Sequence, residues 1–208
     1  MKRYFNILAA FVFLLASCEK DTEGVSKETA FANFEMTGDP ILFLKPGATF
    51  TDPGVKATES GANLEVKSTG TVNTSVAGVY QINYAAVNSD GYPGTTSRQV
   101  VVFEATPEVA SLDLSGSYAR NTNGSLAVFT KIAPGVYSVS NPGGAPGTNL
   151  VVIAFHRTPT TVAIPQQVSN DGSVTSSTGN TFNPATNTLV WTIINPGYGT
   201  AARTFTKR

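Results

Sequence analysis

The stretch that most restricts the fold runs from Gly78 to Gly91. Tyr80, Ile82, Tyr84 and Ala86 occupy every second position, with Gln81, Asn83 and Ala85 between them, and Asn88-Ser89-Asp90-Gly91 follows with turn-forming residues. A period of two gives an extended segment an apolar face and a polar face, an arrangement that a helix of 3.6 residues per turn cannot bury. The same grammar recurs along the chain. Short runs rich in Val, Ile, Phe, Tyr and Thr are separated by Gly, Pro, Asn and Ser, and the 19 Gly and 12 Pro supply the punctuation. The expectation is an all-β protein of many short strands.

Taken in order, residues 31–36 and 41–44 read as strands separated by the turn residues Thr37-Gly38-Asp39-Pro40. Asp52-Pro53-Gly54 fixes a tight turn, because Pro presets φ and Gly accepts φ above zero. Residues 79–87 are the clearest strand, and 95–103 supply the last one through Val100, Val101, Val102 and Phe103. Ala105-Thr106-Pro107-Glu108-Val109-Ala110-Ser111 is brief, contains Pro and precedes a change in composition, so it reads as a linker that limits swing between two domains. Beyond it, residues 126–132, 136–139, 150–155, 161–164, 188–194 and 200–206 read as strands. Leu150-Val151-Val152-Ile153-Ala154-Phe155 is apolar at both parities, as a strand buried on two sides would be, and is expected at the centre of the core. Residues 188–194 are expected to be largely buried too. The loops 141–147, 169–181 and 195–199 are long and rich in Gly, Asn and Pro or Ser, and such loops on a rigid sheet often carry binding surfaces.

Lys45-Pro46-Gly47-Ala48-Thr49-Phe50-Thr51-Asp52-Pro53-Gly54-Val55, then Gly78-Val79-Tyr80-Gln81-Ile82-Asn83-Tyr84, then Ser97-Arg98-Gln99-Val100-Val101-Val102 resemble the bacterial immunoglobulin-like domain also found in pesticidal crystal proteins. The resemblance implies a β-sandwich of about seven strands over 31–104, serving as a spacer without catalysis. The chain departs from that pattern at Asn88, where an aspartate is usual, which argues against a metal at that turn. Leu112-Asp113-Leu114-Ser115-Gly116-Ser117-Tyr118, Gly135-Val136-Tyr137-Ser138-Val139-Ser140 and Arg203-Thr204-Phe205-Thr206-Lys207 resemble the C-terminal β-domain of small Bacteroides-type lipoproteins. Residues 112–208 are therefore expected to form a second small antiparallel β-sandwich or barrel-like domain.

The N-terminus specifies location. Met1-Lys2-Arg3-Tyr4 is positively charged, 5–15 is apolar apart from Asn6, and Ala16-Ser17 are small, the pattern of a signal peptide over 1–17. Leu15-Ala16-Ser17-Cys18 resembles the lipobox of bacterial lipoproteins and ends on the sole cysteine of the chain. The resemblance implies cleavage before Cys18, a diacylated thiol and an outer-membrane protein anchored by lipid, with no spanning helix. With one cysteine, no disulfide can staple either domain, so each relies on its own core. Residues 18–30 then form the lipidated cysteine and a polar, flexible tether with a reach on the order of 20 Å. Glu19-Lys20-Asp21-Thr22-Glu23 has two readings, an export tag for the outer leaflet or a solvated tether.

Charge divides the chain: residues 19–111 carry six Lys or Arg against twelve Asp or Glu, whereas 112–208 carry six against two. Arg120, Lys131, Arg157, Arg203, Lys207 and Arg208 are dispersed, which argues against nucleic acid. Asp39, Asp52 and Asp90 lie beside Pro or Gly and read as turn formers before calcium ligands, since calcium takes six to eight oxygens. Within the second domain a glycosidase pair would have to come from Asp113, at its entry, and Asp171, in a turn with Gly172, which argues against such a pair there, and a triad would need His156, the sole histidine, which is expected at an exposed strand end. Gly143-Gly144 lacks the following Lys of a phosphate loop, and no cofactor or metal is expected. The chemistry favours binding. An aromatic ring can stack on a sugar, and Tyr198, Trp191 and Tyr137 are the candidates. The expected function is a non-catalytic surface lipoprotein whose Ig-like spacer presents a β-domain to a glycan or a partner protein. A purely structural or assembly subunit, and a hydrolase with an unfamiliar site shared by both domains, to be tested at Asp171 and His156, are the alternatives.

Overall fold

The computed structural model describes residues 28–208. The signal peptide 1–17, Cys18 and the tether through residue 27 lie outside the described residues.

The first half contains β1 (Asn33–Met36), β2 (Ile41–Leu44), β3 (Val55–Glu59), β4 (Ala62–Leu64), β5 (Lys67–Thr69), β6 (Gly78–Val87) and β7 (Pro93–Val102). They form a three-stranded sheet, β1-β3-β4, and a four-stranded sheet, β2-β7-β6-β5, in which β2 runs parallel to β7. The alternation in β6 works as its period requires: Ile82 and Tyr84 face inward and, with Val100, pack against Met36, Val55 and Phe50. The strand expected at 95–103 begins earlier, at Pro93, because the whole of β6 pairs with β7, from Gly78↔Val102 to Val87↔Pro93. Asn88 closes that hairpin by accepting from the Tyr92 N–H at 2.6 Å and donating to the Ala30 carbonyl at 2.8 Å.

The segment expected to be a linker contains a short helix. Thr106 caps α1 (Pro107–Ser111), its Oγ1 accepting from the Val109 N–H, and Pro107 supplies the fixed φ that suits a first helical position. Val109 is fully buried, and Lys131 Nζ donates to the carbonyls of Ala110 and Leu112 at the helix exit.

The second half comprises β8 (Gly116–Arg120), β9 (Leu126–Ala133), β10 (Val136–Ser140), β11 (Val151–Thr158), β12 (Thr161–Ala163), β13 (Gln167–Val168), β14 (Val174–Asn183), β15 (Thr188–Ile194) and β16 (Arg203–Lys207). One antiparallel sheet joins them in the order β12-β11-β10-β9-β8-β16-β15-β14-β13. It curls until its ends meet, the Ser177 N–H donating to the Ile164 carbonyl at 3.0 Å and the Phe182 N–H to the Thr160 carbonyl at 2.7 Å. The result is a barrel-like unit filled by side chains, with Trp191 stacked on Phe129 at 5.8 Å and meeting Phe205 edge-on at 6.3 Å. Much of the loop expected at 169–181 is β14. Its Ser/Thr-rich composition hid a strand whose backbone is held by β15 on one side and closes the barrel on the other.

Strand β11 resolves the doubly apolar pattern. Val152 and Ala154 enter the barrel core, whereas Ile153 and Phe155 join Val79, Val101 and Phe103 in a second apolar cluster between the two halves. The strand is a wall shared by two cores, with Phe103 stacked on Phe155 at 4.4 Å. By contrast β15 buries only one face: Leu189, Trp191 and Ile193 point inward, while Thr188, Val190 and Thr192 are half-buried and Ile194 is exposed.

Candidate functional site

The three long loops expected to carry binding collect at one end of the barrel, and short amide side chains hold them there. Asn170 Oδ1 accepts from the Val151 N–H at 2.6 Å while its Nδ2 donates to the Asn149 carbonyl at 3.0 Å. Asn195 Nδ2 donates to Ser173 Oγ at 2.7 Å and Thr175 Oγ1 at 2.8 Å. Arg120 Nη1 and Asn123 Nδ2 both donate to the Gly144 carbonyl, at 3.3 and 3.0 Å. Asn, Ser and Thr suit such loops because their short side chains satisfy nearby backbone groups without regular pairing.

The candidate aromatic residues do not form one binding face. Trp191 and Tyr137 are 0% exposed, so stacking on a ligand from solvent is closed to both. Trp191 Nε1 donates to the Pro142 carbonyl at 2.9 Å, which ties the 141–147 loop over the barrel mouth. The Tyr137 hydroxyl accepts from the Leu114 N–H at 3.1 Å and donates to the Leu112 carbonyl at 3.2 Å, fixing the chain where it enters the barrel. Tyr198 is half-buried, and only it retains access from the loop end. Its ring lies so close to Gly143 that a Cβ there would stand 2.1 Å from Tyr198 Cε1, and the Arg203 guanidinium sits 5.0 Å from its centroid. A shallow groove of about 220 Å³, lined by Val174, Ile194, Asn195, Pro196 and Tyr198, adjoins it.

A larger cleft of about 470 Å³ opens between the two halves. Gln81, Ser97 and Gln99 line it from β6 and β7, and Ser138, Gln167 and Asn170 from the barrel. Gln167 is buried and spends its amide on β11, accepting from the Ile153 N–H at 2.8 Å and donating to the Ile153 carbonyl at 2.7 Å, so it shapes the wall. Amides, hydroxyls and aliphatic carbons make up the lining. It contains no Asp, Glu, His, Lys, Arg, Cys or Tyr.

The residues considered for hydrolysis lie elsewhere. His156 is not at an exposed strand end: it lies within β11, is fully buried and meets the Phe182 ring edge-on at 5.9 Å. Burial is the main reason that its pKa falls below 6.5; Lys131 adds to the fall, and the backbone at Pro159 and Thr158 opposes it. Asp171 is exposed and caps its own turn, accepting from the Ser173 N–H at 3.0 Å and Oγ at 2.7 Å, and these bonds hold its pKa below the usual 3.8. Asp113 does the same for Ser115. Asp52, weighed as a calcium ligand, accepts from the Tyr84 hydroxyl at 2.8 Å and lies 3.7 Å from Arg98 Nε. Among the described residues no group of three or more His, Cys, Asp or Glu side chains converges.

Sequence reasoning passed over Arg120 and Arg203, counted only as dispersed charges. Strand parity could have found them, since Arg203 shares its face with inward Phe205, and Arg120 shares its face with inward Tyr118. The cleft residues carried no comparable signal, because the cleft exists only once two units dock.

Among curated proteins, nothing matches the chain. A solved structure of a lipoprotein from Bacteroides thetaiotaomicron aligns over 86% of this chain and all of its own, with 25% identity and a TM-score of 0.37. Residues 34–102, which span both sheets of the first half, match the family model of the Ig-like domain of bacterial surface proteins, so an Ig-like domain is present there.

Proposed function

We propose that this chain is a non-catalytic lipoprotein of the bacterial surface, held to the outer membrane through Cys18, whose Ig-like domain and barrel together bind a neutral, hydroxyl-rich ligand such as a glycan. The observation that carries the reading is the chemistry of the interdomain cleft: about 470 Å³ lined by amides, hydroxyls and aliphatic carbons, without a titratable side chain. Such a surface can exchange hydrogen bonds with sugar hydroxyls and rest on their apolar faces, and its lining holds no titratable acid or base to activate the serine hydroxyls. The Ig-like match and the lipobox-like Leu15-Ala16-Ser17-Cys18 support the location.

The test is a glycan array probed with residues 19–208, followed by Ser138→Trp, which fills the cleft from β10. Retention of a subset of glycans by the parent chain, reduced at least tenfold in Ser138→Trp with an unchanged melting temperature, is the expected result. A blank array, with affinity capture recovering a membrane protein instead, would favour a structural subunit. Loss of labelled palmitate in Cys18→Ala tests the anchor separately.

A further inference from the structure

The barrel mouth at the loop end holds a second site of opposite chemistry. Arg203 opens β16 and Arg120 closes β8, both on the inward face. Arg203 is only 7% exposed and Arg120 is half-buried. Neither has an acidic partner among the described residues. The second half of the chain contains only two acids, and each is committed to its own turn, Asp113 to Ser115 and Asp171 to Ser173. The protein contacts of the two guanidinium groups are weak: Arg120 Nη1 donates to the Gly144 carbonyl at 3.3 Å, and Arg203 Nη1 to the Ala201 carbonyl at 3.4 Å. The Nε atoms of both arginines are buried without a hydrogen-bond partner, and so is the Tyr198 hydroxyl beside them.

That arrangement is costly as it stands. A buried cation is ordinarily paired, and leaving one without a counter-charge costs more than any single contact in its neighbourhood returns. Here the half-buried Arg120 adds a second positive charge near the buried Arg203. Burial first, and then Arg120, lowers the pKa of Arg203, with Tyr198 opposing. A protein that retains such a pair at a barrel mouth gains from it when an anion arrives. Guanidinium N–H groups in a fixed fork match an oxyanion in geometry as well as charge.

The groove lined by Tyr198, whose ring the Arg203 guanidinium faces, accounts for the rest of the ligand. It is walled by Tyr198, Pro196, Ile194 and Val174, a surface on which a saccharide ring can rest. The covering segment is open, with Pro196, Gly197, Gly199, Thr200, Ala201 and Ala202 all exposed and Tyr198 alone turned inward. We infer that Arg120, Arg203 and the Tyr198 hydroxyl form an oxyanion subsite that takes the carboxylate or sulfate group of an acidic saccharide seated in the Tyr198 groove. This site is separate from the uncharged interdomain cleft.

Calorimetric titration of residues 19–208 with a galacturonate trimer, with the matching neutral galactose trimer and with inorganic sulfate at constant ionic strength tests the assignment. The acidic trimer is expected to bind at least tenfold more tightly than the neutral one, and Arg203→Gln and Arg120→Gln to remove that preference. Sulfate at ten times its dissociation constant is expected to raise the parent's melting temperature by about 3–5 °C beyond matched chloride. The general stabilisation by excluded salts is equal in parent and variants, so the surplus must vanish in Arg203→Gln. Arg203→Lys keeps the charge and loses the fork, and is expected to fall between the two. If sulfate binds in an Arg203-dependent way while neither trimer does, the ligand is a free oxyanion and the saccharide assignment is overturned. Equal binding of both trimers, unaffected by either arginine variant, would overturn the subsite while leaving the cleft reading standing.

Discussion

Among the described residues two arginines are buried, and they are buried in different ways. Arg98, in the Ig-like domain, is fully enclosed, but its Nη2 donates to the carbonyls of Thr37 and Gly54 at 2.6 and 3.2 Å, and Asp52 lies 3.7 Å from its Nε. Tyr84 completes the group by donating to Asp52. The guanidinium bridges the two sheets, joining β7 to the ends of β1 and the Asp52-Pro53-Gly54 turn. Arg203, in the barrel, has one long contact to a carbonyl, a tyrosine ring and another arginine. Burial alone therefore does not identify a site. What separates a structural arginine from a recognition arginine is whether the protein itself supplies the counter-charge.

Leucine substitutions put the comparison to its severest test. Arg98→Leu breaks the sheet-bridging bonds and strands Asp52 and the carbonyls of Thr37 and Gly54, so it is expected to cost about 3 kcal/mol. Arg203→Leu removes an uncompensated charge, and in buffer without sulfate or carboxylate it is expected to lie within about 1 kcal/mol of the parent, or to be more stable. Urea denaturation of both variants in the same buffer decides the matter. Equal destabilisation would show that Arg203 is held by the fold after all.

A weaker contrast comes from acid. His156, on β11, is buried against the Phe182 ring, and burial holds its folded pKa below its unfolded value near 6.5. Below that pH the unfolded chain binds a proton that the native state refuses, so stability is fully present above about 6.5 and falls as the pH drops. The parent's urea midpoint is expected to decline between pH 7 and pH 5, with His156→Leu flattening that part of the curve. An identical decline in the variant would assign the acid sensitivity to other groups.

How far the sequence revealed these features depends on how locally each is encoded. The period of two in β6 and the Asp52-Pro53-Gly54 turn are local signals for strands and a tight turn, and the Ig-like domain was legible through the resemblance of these motifs to a known family. The double apolarity of 150–155 was equally legible as a pattern, but which core each face served was not, because Ile153 and Phe155 find their partners, Val79, Val101 and Phe103, across the interface. β14 escaped because Ser176, Ser177 and Thr178 pair through backbone groups that every residue owns. Trp191 was ambiguous for a related reason: its neighbours in sequence are apolar, and only the Pro142 carbonyl, 49 residues away, shows where its indole N–H is directed. The arginine pair was readable in parity and unreadable in consequence, since the lack of a nearby acid is a property of the whole second half.

The smallest expected effect is also the most selective. The Tyr137 hydroxyl makes two hydrogen bonds in a buried setting, so Tyr137→Phe is expected to cost about 1 kcal/mol by leaving the Leu114 N–H and Leu112 carbonyl short of a partner. The Tyr198 hydroxyl is buried too, yet it bonds to nothing. Deleting it forfeits no internal bond, and Tyr198→Phe is expected to change stability by less than about 0.5 kcal/mol, with the ring still resting on Gly143 and beside Arg203. If the hydroxyl is reserved for a ligand oxyanion, the same substitution should still weaken binding of an acidic saccharide several-fold. A hydroxyl that costs nothing to remove from the free protein but weakens the complex belongs to the ligand; one whose removal destabilises the free protein belongs to the fold, as that of Tyr137 does.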